Sequence, residues 1–287
     1  MAVRCARAVP IALTTALAAT ISQTAGAVTL RPETLQAWDQ YIQAESAHQE
    51  QRRKPGSTFL WTDETADRAA RLRKGEIVTA PASPDIPKRV PFGLIHHWIG
   101  AKFLRGVTIP DALKVLRDYS RYTDFYPPAV VQSTPDSVGD STDQFSMVLM
   151  KRLQFRKVAM DADYAIHYVR VDARRLYSVA RTTRIQEIAG FGEPGQHLLP
   201  QDEGTGLIWR LYSVTRFEER DGGLYLEIEA IALSRDIPSG WRFIVEPVVR
   251  HKSKEGLVTA LRQTEDAVRA AAVGNRNGMP AALHPVR

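Results

Sequence analysis

The residues of this chain that could bind a metal or attack a substrate are seven histidines, one cysteine, and its serines and carboxylates. Their spacing argues against most such chemistry. His96 and His97 are neighbours in LIHHWIGAKFLR, a segment that alternates as a strand does, so they leave on opposite faces and cannot grip one ion together. His48, His167, His197, His251 and His284 show neither His-x-His nor His-Glu-x-x-His spacing. No serine stands in a Gly-x-Ser-x-Gly elbow, and none has a histidine partner visible in the sequence. Asp161 and Asp163 share a strand face; they read as a solvated edge, or as two carboxylates converging for proton transfer. No metal, no cofactor and no catalytic residue is expected.

The aromatic and apolar side chains of the later strands are the stronger signal. Phe145, Met147 and Leu149 share one parity, Tyr164, Ile166 and Tyr168 another, and Leu207, Trp209 and Leu211 a third. These faces are expected to turn inward. Tyrosine and tryptophan carry a polar tip that needs a partner when buried, so an interior rich in them suits a partly wet cavity with a few fixed hydrogen-bonding points, or else an ordinary filled core. Tyr122, Phe125 and Tyr126, ahead of Pro127 and Pro128, complete the set of expected ligand contacts.

The elements that must position them follow from periodicity. RPETLQAWDQYIQAES predicts an amphipathic helix of about 20 residues. STFLWTDE reads as extended, TADRAARLRKG as a short helix ending at Gly75, and EIVTAPASPDIPKRVPFG as a proline-rich stretch without regular structure. Residues 28–92 are therefore expected to form an N-terminal extension or linker, with Trp38 and Trp61 packed on the main domain. From Gly93 a strand is followed by two short helices, the first with Pro110 in its opening turn, and then by five long strand-like segments. Asp172-Ala-Arg-Arg and Asp221-Gly-Gly are turn-like breaks that predict antiparallel hairpins, whereas residues 189–206, with five glycines, predict a loop. A last helix carries Leu257, Val258, Leu261, Val268 and Ala271 on one stripe; Pro247 and Gly256 are places where it could divide. Pro238 is expected to stop the preceding strand and Ser239 to cap the helical segment after it, and residues 273–287 to be a disordered tail.

At the N-terminus, Arg4 and Arg7 precede an apolar run that ends in Ala25-Gly26-Ala27, the pattern of a secretory signal peptide over residues 1–27. The only cysteine, Cys5, lies inside it, so the mature chain is expected to have no thiol and no disulfide. The formal charge of +6 falls to +4 when Arg4 and Arg7 leave. Basic residues are interleaved with acids, which argues against nucleic acid and leaves transient contact with an anionic membrane surface open. Export is the expectation: periplasmic in a Gram-negative cell, otherwise secreted.

Strand, two short helices, consecutive antiparallel strands and a long closing helix make an α+β chain in the helix-grip order. On RDYSRYTDFYPPAVVQS, GLIWRLYSVTRFEERDGGLYLEIEAIALSRDIP and the closing helix, residues 93–272 resemble the START-like (SRPBCC) superfamily, more narrowly its exported bacterial members of unassigned function. The resemblance implies a cavity between a curved sheet and the long helix, suited to a lipid, sterol-like or polyketide-like ligand. It also implies that Tyr122, Phe125 and Tyr126 border the mouth; the alternative is that they staple the short helices to the sheet. Two other functions remain open: a cyclase or hydrolase acting in the same cavity, and an envelope scaffold with a filled core.

Overall fold

The structure is a computed structural model that describes residues 27–54, 56–152, 157–237 and 242–277. A short strand β1 (Val28–Thr29) leads into helix α1 (Pro32–Arg52), a 3-10 turn (Trp61–Glu64) and α2 (Ala66–Arg73). Strands β2 (Val78–Pro81), β3 (Lys88–Val90) and β4 (Gly93–Arg105) precede α3 (Ile109–Leu116), a 3-10 turn (Tyr119–Arg121) and α4 (Tyr122–Phe125). Then come β5 (Val130–Val138), β6 (Thr142–Arg152), β7 (Lys157–Arg170), β8 (Arg175–Ala189), β9 (His197–Leu198), β10 (Glu203–Gly204), β11 (Arg210–Arg220) and β12 (Gly223–Arg235). Helix α5 (Arg242–Asn277) closes the chain.

The main sheet runs β2-β4-β12-β11-β8-β7-β6-β5, every pairing antiparallel, with β3 on β4 and β9 on β8. This is the expected α+β helix-grip arrangement: the first long strand lies beside the last, and α5 crosses the sheet. At Gly100 that crossing is so tight that a Cβ would lie 2.9 Å from the Leu257 and Leu261 side chains. α5 runs unbroken through Pro247 and Gly256. Leu257, Leu261 and Val268 are buried, as the stripe predicts, while Val258 is half-buried and Ala271 exposed; Thr264 and Ala267 take the inward places. Pro238, Ser239 and most of the expected signal peptide and tail lie outside the described residues.

Some local expectations change. Trp61–Glu64 is a 3-10 turn rather than extended. The proline-rich stretch contains β2 and β3, tolerated because Pro81 ends an edge strand, where a missing N–H costs no ladder bond. β5 is an edge strand not apparent in the sequence, since it is mostly exposed, polar and bulged near Pro135. The start of α3 is secured by a capping box, in which the Thr108 side chain accepts from Asp111 N–H and Asp111 accepts from Thr108 N–H. The loop after β8 is tied to the N-terminus, because Val28 and Thr29 pair with Gly204 and Glu203.

Candidate functional site

Alternation gives the sheet two faces with different contents. Under α5, Trp98, Leu104, Phe217, Leu224 and Leu226 form a core with Leu257, Leu261 and Val268. On the same side, farther across the sheet, Tyr119, Tyr122, Phe145, Tyr164 and Ile166 gather with Phe125, Tyr126, Met147, Leu149, Tyr168, Leu207 and Leu211. All the expected ligand contacts except Trp209 are thus brought into one cluster. Trp209 packs on the opposite face with Tyr212 and Val214. The reason is local: β11 starts only at Arg210, so the alternation linking Leu211 to its predecessors does not reach back to Trp209.

The aromatic rings form a continuous stack. Tyr119 lies on Phe145 at 4.2 Å between centroids and Phe145 on Tyr164 at 4.9 Å, both nearly parallel. Tyr122 meets Tyr119, Phe145 and Tyr126 edge-on. Its hydroxyl donates to Leu116 O at 2.6 Å, and Tyr126 Oη lies 3.2 Å from Thr264 Oγ1 of α5. These bonds staple the short helices and α5 together. At one end Tyr119 Oη donates to the buried Asp143 at 2.7 Å and lies 3.1 Å from Tyr168 Oη, while Arg117 grips both Asp143 oxygens at 2.6 and 2.8 Å. Burial pushes the Tyr168 hydroxyl up to about 12 and the Tyr119, Tyr122 and Tyr164 hydroxyls well above their usual value, so all four stay neutral donors.

Toward the Arg235 end this face is incompletely covered. Along β11 and β12 every residue of the opposite face from Tyr212 to Arg216 and from Glu229 to Leu233 is buried, whereas Leu211, Ser213, Thr215, Ile228, Ala230 and Ala232 beneath α5 are only half-buried. Apolar side chains in the middle of a sheet, under a helix, thus keep access to solvent.

His96 belongs to this side. Its Nε2 lies 2.9 Å from Ser234 Oγ, a serine–histidine contact across 138 residues that no local pattern announces. Burial, with a smaller contribution from Lys151, lowers His96 to about 4, so the ring is neutral. Ser234 Oγ also donates to Arg235 O at 3.2 Å; that use of the Ser234 hydrogen assigns the His96 proton to Nε2 and leaves Nδ1 as an acceptor.

The opposite face holds a charge network beneath α1 and the Trp61 turn. Arg216, 2% exposed, bridges Glu227 and Glu229, each at 2.9 Å. His97 Nε2 meets Glu229 at 2.8 Å, and its Nδ1 meets Tyr41 Oη at 2.8 Å. Gln49 donates to Glu229, and the Trp61 and Thr62 amides donate to Glu227. Burial pushes Glu229 up, but His97 and Arg216 outweigh it and hold the carboxyl at about 2. Burial dominates at Glu227 and raises it. Glu45, His97 and Glu229 bring possible ligand atoms within 4.8 Å of one another. A cation there would have to displace Arg216 from Glu229 and take a His97 nitrogen from its partner. Asp161 and Asp163, also on this face, both pair with Arg184, at 3.1 and 2.7 Å.

The fold these observations define is a helix grip. Among solved structures the chain is similar to a STAR-related lipid transfer protein fragment from Xanthomonas axonopodis, at 14% identity over 67% of this chain and 98% of that one, with a TM-score of 0.42. It is also similar to human STARD10, at 8% identity over 79% and 87% with a TM-score of 0.42. A third is the Zhui aromatase/cyclase from Streptomyces sp. R1128, at 11% over 67% and 99% with a TM-score of 0.34. No known sequence family and no curated protein matches the chain.

Proposed function

We propose that this protein binds a small hydrophobic molecule, of the lipid, sterol-like or polyketide-like kind, between α5 and the sheet, and holds or transfers it without covalent chemistry. The observation that carries this reading is the half-buried apolar strip Leu211, Ile228, Ala230 and Ala232. Covering it with a ligand gains ~25 cal/mol per Å² of apolar surface removed from water. Native mass spectrometry of protein purified from its own host should show an adduct that organic extraction removes; a bare chain alone would overturn the reading.

A hydrolytic reading has the Ser234–His96 contact in its favour, but the chemistry runs the wrong way. The nitrogen facing Ser234 carries the proton, and a ring held at about 4 is a weak base near neutrality. A filled scaffold gives no reason for the half-buried strip. Export belongs to the proposal through residues 1–27, and cleavage after Ala27 would appear in the mass of the mature chain. Among the described residues no helix is long and apolar enough to cross a membrane.

A further inference from the structure

Three buried polar atoms on the helix face have no hydrogen-bond partner among the described residues: Ser133 Oγ on the edge strand β5, beside Met147, and, toward the middle of the sheet, Tyr164 Oη and His96 Nδ1. Tyr164 is 7% exposed and His96 8%. The ladder sets these two in a single row across the sheet. His96 pairs with Ala232, and Ala232 with Leu211. The backbone N and O of Leu211 are both bonded to Thr182 Oγ1, and Thr182 pairs with Tyr164. Four strand steps separate the backbones of the two residues, ~19 Å along the sheet at ~4.8 Å per step. The floor between them is Ala232 and Leu211, part of the half-buried apolar strip.

The two atoms ask for different partners. Tyr164 is a neutral phenol with a hydrogen to donate, so it wants an acceptor. His96 Nδ1, with the proton on the other nitrogen, wants a donor. Each has lost its water without a replacement bond, a cost recovered only when such a group arrives. Both atoms are enclosed by side chains, so reaching them requires neighbours to rotate; Met147 and Leu211, half-buried beside Tyr164, are unbranched at Cβ and free to do so.

We propose that the helix face selects an elongated apolar molecule with an acceptor oxygen, such as a carbonyl, at the Tyr164 end and a hydroxyl donor at the His96 end. This rests on the hydrophobic-ligand reading and specifies its ligand class. The test is equilibrium dialysis of the delipidated full chain with three radiolabelled probes: methyl ω-hydroxypalmitate, methyl palmitate and hexadecane. The hydroxy ester should bind about tenfold tighter than methyl palmitate, and methyl palmitate about tenfold tighter than hexadecane, one decade per recovered hydrogen bond. Tyr164→Phe should erase the second step alone and His96→Leu the first alone. Circular dichroism verifies that both variants are folded, and their unchanged hexadecane affinity separates recognition from a structural role. Equal affinity of all three probes for the wild type would overturn the polar selection while leaving hydrophobic binding intact; no binding of any probe would overturn both.

Discussion

The two faces of β11 and β12 are built from alternate residues of the same strands, and they solve opposite problems. The face under α1 contains Arg216, Glu227, Glu229 and His97, groups that are expensive to bury, and it is closed, with each carboxylate bonded to two or more donors. The face under α5 contains Leu211, Ile228, Ala230 and Ala232, groups that gain by burial, and it is left partly open. The charged face is sealed because an unpaired charge there is costly. The apolar face carries no such penalty when half-buried, and on the proposed function a ligand would finish it. The contrast places a fully paired charge network on one side of the sheet and an incompletely covered apolar strip on the other.

The largest expected effect breaks the closed face. Arg216→Met leaves Glu227 and Glu229 without their shared counter-charge and should destabilise the fold by about 3–5 kcal/mol in urea denaturation. The corresponding change to the open face, Leu211→Ala, should alter ligand affinity far more than stability. A smaller unfolding penalty for Arg216→Met than for Leu211→Ala would reverse the comparison.

Acid separates the faces more finely. His96 is held near 4 against an ordinary value of 6.5, so its neutral form stabilises the fold fully above about pH 6.5 and that stability is lost as pH falls toward 4. At about 1.4 kcal/mol per unit the loss is about 3.5 kcal/mol. Glu229, held at about 2 against 4.5, contributes stability above pH 4.5 that disappears as pH falls toward 2, and Glu227, raised by burial, works in the opposite sense. Unfolding free energies measured from pH 7 to 4 should decline in the wild type, and the decline should flatten in His96→Leu. An unchanged slope in that variant would show that His96 is not the group titrating.

Two smaller effects sharpen the open face. Gly100→Ala puts a Cβ 2.9 Å from the Leu257 and Leu261 side chains, which must repack to make room, and should cost about 1–3 kcal/mol in thermal or urea unfolding. Tyr164→Phe should do the reverse, raising the stability of the ligand-free protein by about 1 kcal/mol, because it removes a buried hydroxyl that has no partner among the described residues. A loss of stability in Tyr164→Phe would mean the hydroxyl is already satisfied.

Much of this was legible from periodicity. Alternation in Phe145, Met147 and Leu149 and in Tyr164, Ile166 and Tyr168 depends only on the pleat, and both sets turn inward as expected, against Tyr119, Tyr122, Phe125 and Tyr126. Trp209 was misplaced because the same rule was carried past the start of β11, and β5 was missed because an exposed edge strand need not alternate. The Ser234–His96 contact and the network around Arg216 had no local signal, since their members lie on different strands or on α1.

The sequence by itself therefore determined the order of the long strands and the closing helix, two hairpin turns and the parity of β6 and β7, because these follow from turn residues and a two-residue repeat. The tertiary structure alone decided which parity lies under α1 and which under α5, and that is a matter of which surface covers which. It also decided that His96 and Tyr164 fall in one row, since register across five strands accumulates from pairings, a bulge at β8 and a side-chain bond from Thr182 that no single segment contains.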